Sequence, residues 1–266
     1  MIYRILTALA VAASFSMATP AIACSVVPGY RVPTNLELAE KAELVLLGRV
    51  VGEVEGAELR DRRLLVEPQV AIKGEVSDGP IVIAGVRLDQ PLAGGGSGLL
   101  SNPYELAEAH PDSFLGACIR RIFPRGTTVL FFLERASDGE GWRPSGGPFS
   151  RWAEDVLSED APWLTLTQLY VAAAAAPESR RRAMLEAEFA GLVALPADPV
   201  VQLIAADIAR QLAGPNETWA EVMAREMEAY RETREAVDAV KDAMDDVAED
   251  IPEPDPARAH AMEDGR

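Results

Sequence analysis

The sequence predicts an α+β protein: a small β-barrel over residues 24–150 followed by a helical domain over 151–250. Three observations carry this. Short apolar, β-branched runs, several interrupted by glycine, fill the front half. From Pro148 onward the apolar residues recur at helical spacing between prolines and capping residues. The only two cysteines, Cys24 and Cys118, stand where one bond would tie the start of the front half to its body.

Length sets one or two domains for 266 residues, and 48% hydrophobic with 25% charged content allows a substantial core without metals or a dense disulfide framework. A net charge of −17 repels phosphate backbones. The one dense basic run, Arg180-Arg181-Arg182, sits among glutamates, so no nucleic-acid partner is expected.

Residues 1–23 read as a secretory signal. Arg4 gives a positive n-region, Ile5 to Met17 an apolar h-region, Pro20 a break, and Ala21-Ile22-Ala23 a small-residue cleavage pattern. Cleavage there makes Cys24 the first residue and places the protein in the periplasm or outside the cell. A competing reading is acylation of Cys24 and a lipid anchor. No later run reaches the ~18 apolar residues of a transmembrane helix. Export implies an oxidising compartment, which favours a Cys24–Cys118 bond over two free thiols. In the chain-entropy model, closing that loop of about 95 residues is worth roughly 4–5 kcal/mol.

Next come the elements in order. Thr34 caps a short helix to about Ala42, with Glu37 completing a capping box. Leu44 to Gly52 is a buried strand, and Gly48 and Gly52 predict a bulge or bend of the kind a tightly curved barrel needs. Leu64 to Ile72 is a second strand, with Pro68 requiring an edge or a bulge. Ile81 to Val86 is a third. Leu88 to Gly116, rich in glycine and proline, reads as a long mobile insertion with one helical turn near Tyr104 to Ala109. Its glycine run, Gly94 to Gly98, lacks the strand, helix and Gly-Lys-Ser/Thr of a phosphate loop. Thr127 to Leu133 is the strongest strand, and a turn at Asp138-Gly139 leads to a short one at Trp142. About five strands with glycine bends suit a small barrel.

From Pro148 to Asp250 the chain reads as helical. Pro162 opens a helix with Trp163, Leu166, Tyr170 and Ala173 on its apolar face. Pro177 restarts the chain for Met184, Leu185, Phe189 and Leu192, and Asp198-Pro199 for Val201, Ile204, Ile208 and Leu212. Thr218 to Glu221 is a capping box for the longest helix. There Met223, Tyr230, Val237 and Met244 recur every seven residues, a seam for docking on the domain or for pairing with a second chain. Acids from Asp242 to Asp250 oppose the macrodipole, so this end should fray. Residues 251–266 read as a disordered acidic tail.

Chemistry-bearing patterns are sparse, and no metal or cofactor is expected. His110 lies in the insertion and His260 in the tail, neither beside a second ligand at metal-site spacing. Trp152 with Glu154 and Asp155, after Gly146-Gly147-Pro148, forms a compact polar-aromatic group. It reads as a junction between barrel and helices, or as a carboxylate site of an enzyme.

The front half resembles a known arrangement. It runs Cys24-Ser25, then Ala42-Glu43-Leu44-Val45-Leu46-Leu47-Gly48-Arg49-Val50, then Val66 with Val70-Ala71-Ile72-Lys73-Gly74. Cys118 follows, with Gly126 and Val129-Leu130-Phe131-Phe132-Leu133. This is similar to the netrin-like domain, whose best-known branch is the tissue inhibitors of metalloproteinases, and more to its bacterial exported relatives. The resemblance covers 24–150 and implies a five-stranded oligonucleotide/oligosaccharide-binding-type (OB-like) barrel with an N-terminal cysteine tied to it. In the animal inhibitors the amine and carbonyl of that cysteine chelate a protease's zinc, and the next side chain enters its specificity pocket. The matching residues are Cys24 and Ser25. The family's second nearby cysteine is absent, with Val26 in its place. The expected function is therefore a non-enzymatic exported protein acting in binding or assembly with a protein partner. Metalloprotease inhibition through Cys24 and Ser25 is the alternative, and an enzyme using carboxylates near Trp152 is the second.

Overall fold

The computed structural model describes residues 26–249 except 57, 59, 60, 77, 90–98, 115, 116, 138, 140, 196 and 197, and omits the side chains of 242–249. The readings of 1–23 as a signal, of Cys24 and Ser25 as the new terminus, and of 251–266 as a tail fall outside the described residues. So does the side chain of Met244.

The fold is α+β, a closed five-stranded barrel followed by a helical region. Helix α1 (Asn35–Lys41) precedes β1 (Leu44–Val54), β2 (Arg63–Lys73), β3 (Ile81–Ala84) and β4 (Arg87–Leu88). A 3-10 turn (Pro111–Phe114) is followed by β5 (Ile122–Phe123), β6 (Thr128–Arg135), β7 (Trp142–Pro144) and β8 (Ala153–Asp155). Then come α2 (Pro162–Ala175), α3 (Glu178–Val193), α4 (Pro199–Ala213) and α5 (Trp219–Glu249). Around the barrel the order is β1-β2-β3-β7-β6, closed by β6 against β1. All neighbours are antiparallel except β3 and β7, which run parallel at Ile83 and Trp142. This is the OB-like arrangement.

Glycine and proline sit where curvature requires them. The β1–β2 register shifts between Leu47 and Gly48 and again between Val50 and Gly52. A Cβ on Gly48 would lie 2.4 Å from Val66 Cγ1, so the strands approach there as only glycine permits. Pro68 pairs opposite Gly48, in the part of β2 beyond its pairing with β3, which covers Arg63 to Val66. The missing N–H of proline therefore costs the β2–β3 ladder nothing.

Leu44, Leu46, Val50, Leu64, Val66, Ile83, Val129, Phe131 and Leu133 fill the barrel interior, with Phe123 and Trp152. The alternate residues of β1 and β6, Val45, Leu130 and Phe132, are buried in a second core with Leu38 of α1, Trp163, Leu166 and Tyr170 of α2, Leu185 of α3 and Ile208 of α4. Each such side chain contributes roughly 1.5–3 kcal/mol of burial energy. The compact units are Met1–Glu217 and Thr218–Arg266. Helices α2 to α4 thus share a compact unit with the barrel. The capping boxes at Thr34–Glu37 and Thr218–Glu221 form as expected. In the second unit, Met223 and Tyr230 of α5 are half-buried and Val237 is 49% exposed.

Two segments depart from the sequence reading. Residues 153–155, expected as helix, form β8 and pair with β6 at Val129 to Phe131. The strand is too short for periodicity to reveal. The expected loose insertion is anchored: Ser101, Leu106, Ala109, His110 and Ser113 are buried, and its helical turn lies at Pro111–Phe114, not Tyr104 to Ala109. Glycine and proline mark irregular backbone, but not whether that backbone is held.

A pair of glycine substitutions tests the close approaches. Gly74 (φ 80°) would bring a Cβ to 2.4 Å from Glu43 O, whereas Gly85 (φ 76°) faces open space. Gly85→Ala should cost about 1 kcal/mol for backbone strain alone, and Gly74→Ala about 1–3 kcal/mol more. Urea midpoints measure the difference, and equal losses would contradict this packing.

Candidate functional site

The polar residues with most chemical potential gather on β8. Trp152 precedes the strand and is fully buried, with Phe123 at 5.6 Å edge-on and Phe131 at 6.0 Å. Its backbone carbonyl accepts from Phe132 N at 2.7 Å, which sets the strand's start. The next polar residues, Glu154 and Asp155, are 2% and 5% exposed.

Both carboxylates are occupied. Asp155 takes both oxygens to Arg120 Nη2 at 3.0 Å and accepts from Ser101 N at 2.8 Å. Glu154 accepts from Ser101 Oγ at 2.7 Å, from His110 N at 3.2 Å and from Arg151 Nε at 3.4 Å. Ser101 Oγ in turn accepts from Asp155 N at 2.9 Å. Arg120 stacks over Phe123 and Arg151 over Trp163, at 4.5 and 4.3 Å from the ring centres. Such stacking suits a buried, weakly hydrated guanidinium. Two cations and two anions balance, and each desolvated carboxylate has a charged or hydrogen-bonding partner. His110 completes the group. Burial, then the Arg120 guanidinium, holds its imidazole below the ordinary histidine range, against the pull of Glu154, Asp112 and Asp155.

The sequence singled out Trp152, Glu154 and Asp155 but not Ser101, His110, Arg120 and Arg151. The structure brings all seven together. An arginine next to the Trp152-Glu154-Asp155 stretch was the one visible hint; the other partners lie 34 to 54 positions away and carry no spacing rule.

A third buried carboxylate, Asp207 of α4, is wholly enclosed. It accepts from Asn35 Nδ2 at 3.0 Å, from Tyr170 Oη and from Arg210, and Asn35 also donates to Leu106 O at 2.9 Å. Next to it, Gln211 Oε1 accepts from Leu36 N at 3.0 Å. Helix α4 thereby satisfies the first turn of α1. At the other helix ends, Lys73 Nζ donates to Ala39 O and Glu40 O, and Arg181 to Ala174 O and Ala176 O. These two cations and Glu40 rim an open cleft of about 250 Å³ floored by Val171, Ala174 and Ala175. Lys73 donates to helix carbonyls, as expected for a cation at a helix C-terminus, and Arg181 divides its donors between two such carbonyls and Glu40.

Cys118 lies before β5 with φ 61°, and Phe149 has φ 59°. Both are left-handed, and Phe149 N donates to Cys118 O at 2.6 Å. Just upstream, Tyr30 Oη donates to Pro148 O at 2.5 Å, and burial pushes its pKa up to about 12. A Cβ on Gly147 would meet Tyr30 Oη at 2.6 Å. The segment around Tyr30 is therefore clamped to the same 147–149 turn that meets Cys118. No cysteine among the described residues is free.

These features define an α+β protein on a closed OB-like barrel, with Glu154, Asp155 and Asp207 enclosed. Comparison with protein families, curated proteins and solved structures finds no match.

Two outcomes follow from the geometry. Asp155→Asn leaves Arg120 buried without its carboxylate and should cost about 3–5 kcal/mol in chemical denaturation. Glu186→Gln, which breaks an exposed pair with Arg182, should cost under about 0.5 kcal/mol. At alkaline pH, Tyr30 has an ordinary pKa of 10.0 when unfolded and about 12 when folded. Its contribution is complete below pH 10 and is lost as pH rises toward 12. Stability measured across that window should fall less steeply in Tyr30→Phe.

Proposed function

We propose that the chain is an exported, non-enzymatic protein that acts in binding or assembly through a netrin-like barrel, its N-terminal Cys24 stapled to Cys118. The observation that carries the reading is the clamp of Tyr30 on Pro148 beside the Phe149–Cys118 bond. Tyr30 lies six positions after Cys24, a reach of about 20 Å in extended chain. Cys24 is the only other cysteine in the sequence. Enclosure of Glu154 and Asp155 supports the non-enzymatic reading, because every carboxylate oxygen there is spent on the protein's own donors. The β1–β2 loop, one of the loops by which OB folds bind oligonucleotides, sets Glu55, Glu58 and Asp61 against Arg60 and Arg62 and so offers no basic patch to a phosphate backbone.

Metalloprotease inhibition is the second reading. It is favoured by the solvent-facing segment after Ser25, where Val27 is 71% exposed. It requires a free α-amine on Cys24 to chelate zinc, with Ser25 entering the protease. The Met223, Tyr230, Val237 seam of α5 offers a route to a dimer.

Intact-mass analysis with non-reducing peptide mapping tests the first reading. The expected result is a terminus at Cys24, unacylated and linked to Cys118. A lipid on Cys24 would overturn both readings. Titration against zinc proteases tests the second, which predicts that one residue added before Cys24 abolishes inhibition.

A further inference from the structure

We infer that His110 is an acid-sensitive clasp that closes the base of the 99–110 loop and holds it on β8. The inference is independent of the export and inhibitor readings. It rests on what the two ring nitrogens face. Nδ1 lies 3.1 Å from Asp112 N, a group that only donates. Nε2 lies 3.0 Å from Leu99 O, a group that only accepts. Both bonds form together only in the neutral tautomer with hydrogen on Nε2. The residue is 2% exposed, so water cannot replace either partner.

The clasp has a defined reach. Its ring bond to Leu99 spans eleven positions, and its backbone N–H is bound by Glu154. At the loop's start, Ser101 bonds both Glu154 and Asp155. Midway, Leu106 packs in the helical core and accepts from Asn35. Opening at His110 therefore frees Leu99, Leu100 and the 110–114 turn, while Ser101 and Leu106 stay anchored by their own contacts. The parts set loose carry Leu99 and Leu100, 52% and 46% exposed, and Phe114, 47% exposed and stacked on Phe149.

Protonation puts a second donor on Nδ1, facing the Asp112 N–H. The charged groups around the ring are Asp112 on its own turn, Glu154 and Asp155 on β8, and Arg120 before β5, with Arg151 beyond Glu154. Asp112 Oδ2 and Asp155 Oδ2 stand 3.9 and 3.8 Å from the nearest ring nitrogens, beyond hydrogen-bonding distance. The imidazolium reaches either carboxylate only by displacing the turn, and Asp155 is already committed to Arg120. Burial and Arg120 outweigh the carboxylates and hold the closed form neutral. An open loop restores the ordinary value of 6.5. Closure is thus fully favoured above that value and weakens as pH falls below it.

Hydrogen exchange on the full chain tests this. At pH ~7.5 and ~5, corrected for intrinsic rate, protection of peptides covering 110–114 should drop about tenfold more than that of α2 peptides. His110→Gln keeps a donor for Leu99 O but does not titrate, so its protection should be lower at pH ~7.5 and lack the differential drop. Unchanged relative protection in the parent, or the same drop in His110→Gln, would overturn the clasp. Should His110→Gln fail to fold, imidazole ¹⁵N spectra of His260→Ala, which leaves His110 as the sole histidine, decide. The expected result is the Nε2–H tautomer with a pKa below 6.5, and a pKa at or above 6.5 sinks the inference.

Discussion

Strands β1 and β6 are buried on both faces, and the rest of the structure follows from that constraint. Their inward residues, Leu44, Leu46, Val129, Phe131 and Leu133, fill a barrel interior. Their outward residues, Val45, Leu130 and Phe132, would be a wet apolar stripe if the barrel stood alone. Helices α1 and α2 cover that stripe, and α3 and α4 back them. The helical region up to Ala213 is therefore the second half of a core whose first half lies in the sheet. A strand with two dry faces also has no polar alternation, which is why Leu44 to Leu47 and Val129 to Leu133 read as unbroken apolar runs.

The buried carboxylates of this interior each sit within a set of donors. Asp207 gathers α1, α2 and α4 around one carboxylate, and Glu154 with Asp155 does the same for β8, the 99–114 segment and the stretch before β5. Both sets lie where an irregular or late-arriving segment meets the barrel or its helices. Buried ion pairs add little net stability over apolar packing, but removing one member strands the rest. Their effect is directional: an apolar patch would accept the 99–114 segment in several registers, whereas Ser101 and His110 fit only one.

The candidate site was half legible. Glu154 and Asp155 stood out as adjacent acids after an aromatic, and their reading as a junction rested on composition alone. His110 lies in irregular chain with no second ligand at metal-site spacing, a pattern that speaks against zinc and carries no signal of burial. A histidine in a loop has no periodic neighbours to predict its partners, and Leu99, Asp112 and Asp155 reach it through loop closure and sheet addition. Arg120 was equally invisible, since nothing in its local sequence separates a buried arginine from a solvated one.

The sequence by itself determined the elements whose causes are local. Among them are the capping box at Thr34, the glycine bends of β1, the proline-started helices and the five barrel strands. Each depends on residues within a few positions, where propensity and periodicity act. Only the tertiary structure decided that β8 is a strand, that the 99–114 segment is held, and that α2 to α4 belong to the barrel's own unit. Those outcomes depend on partners distant in the chain. A three-residue strand gains its hydrogen bonds only from β6, and a loop becomes fixed only when buried charges on another element leave its donors a single arrangement.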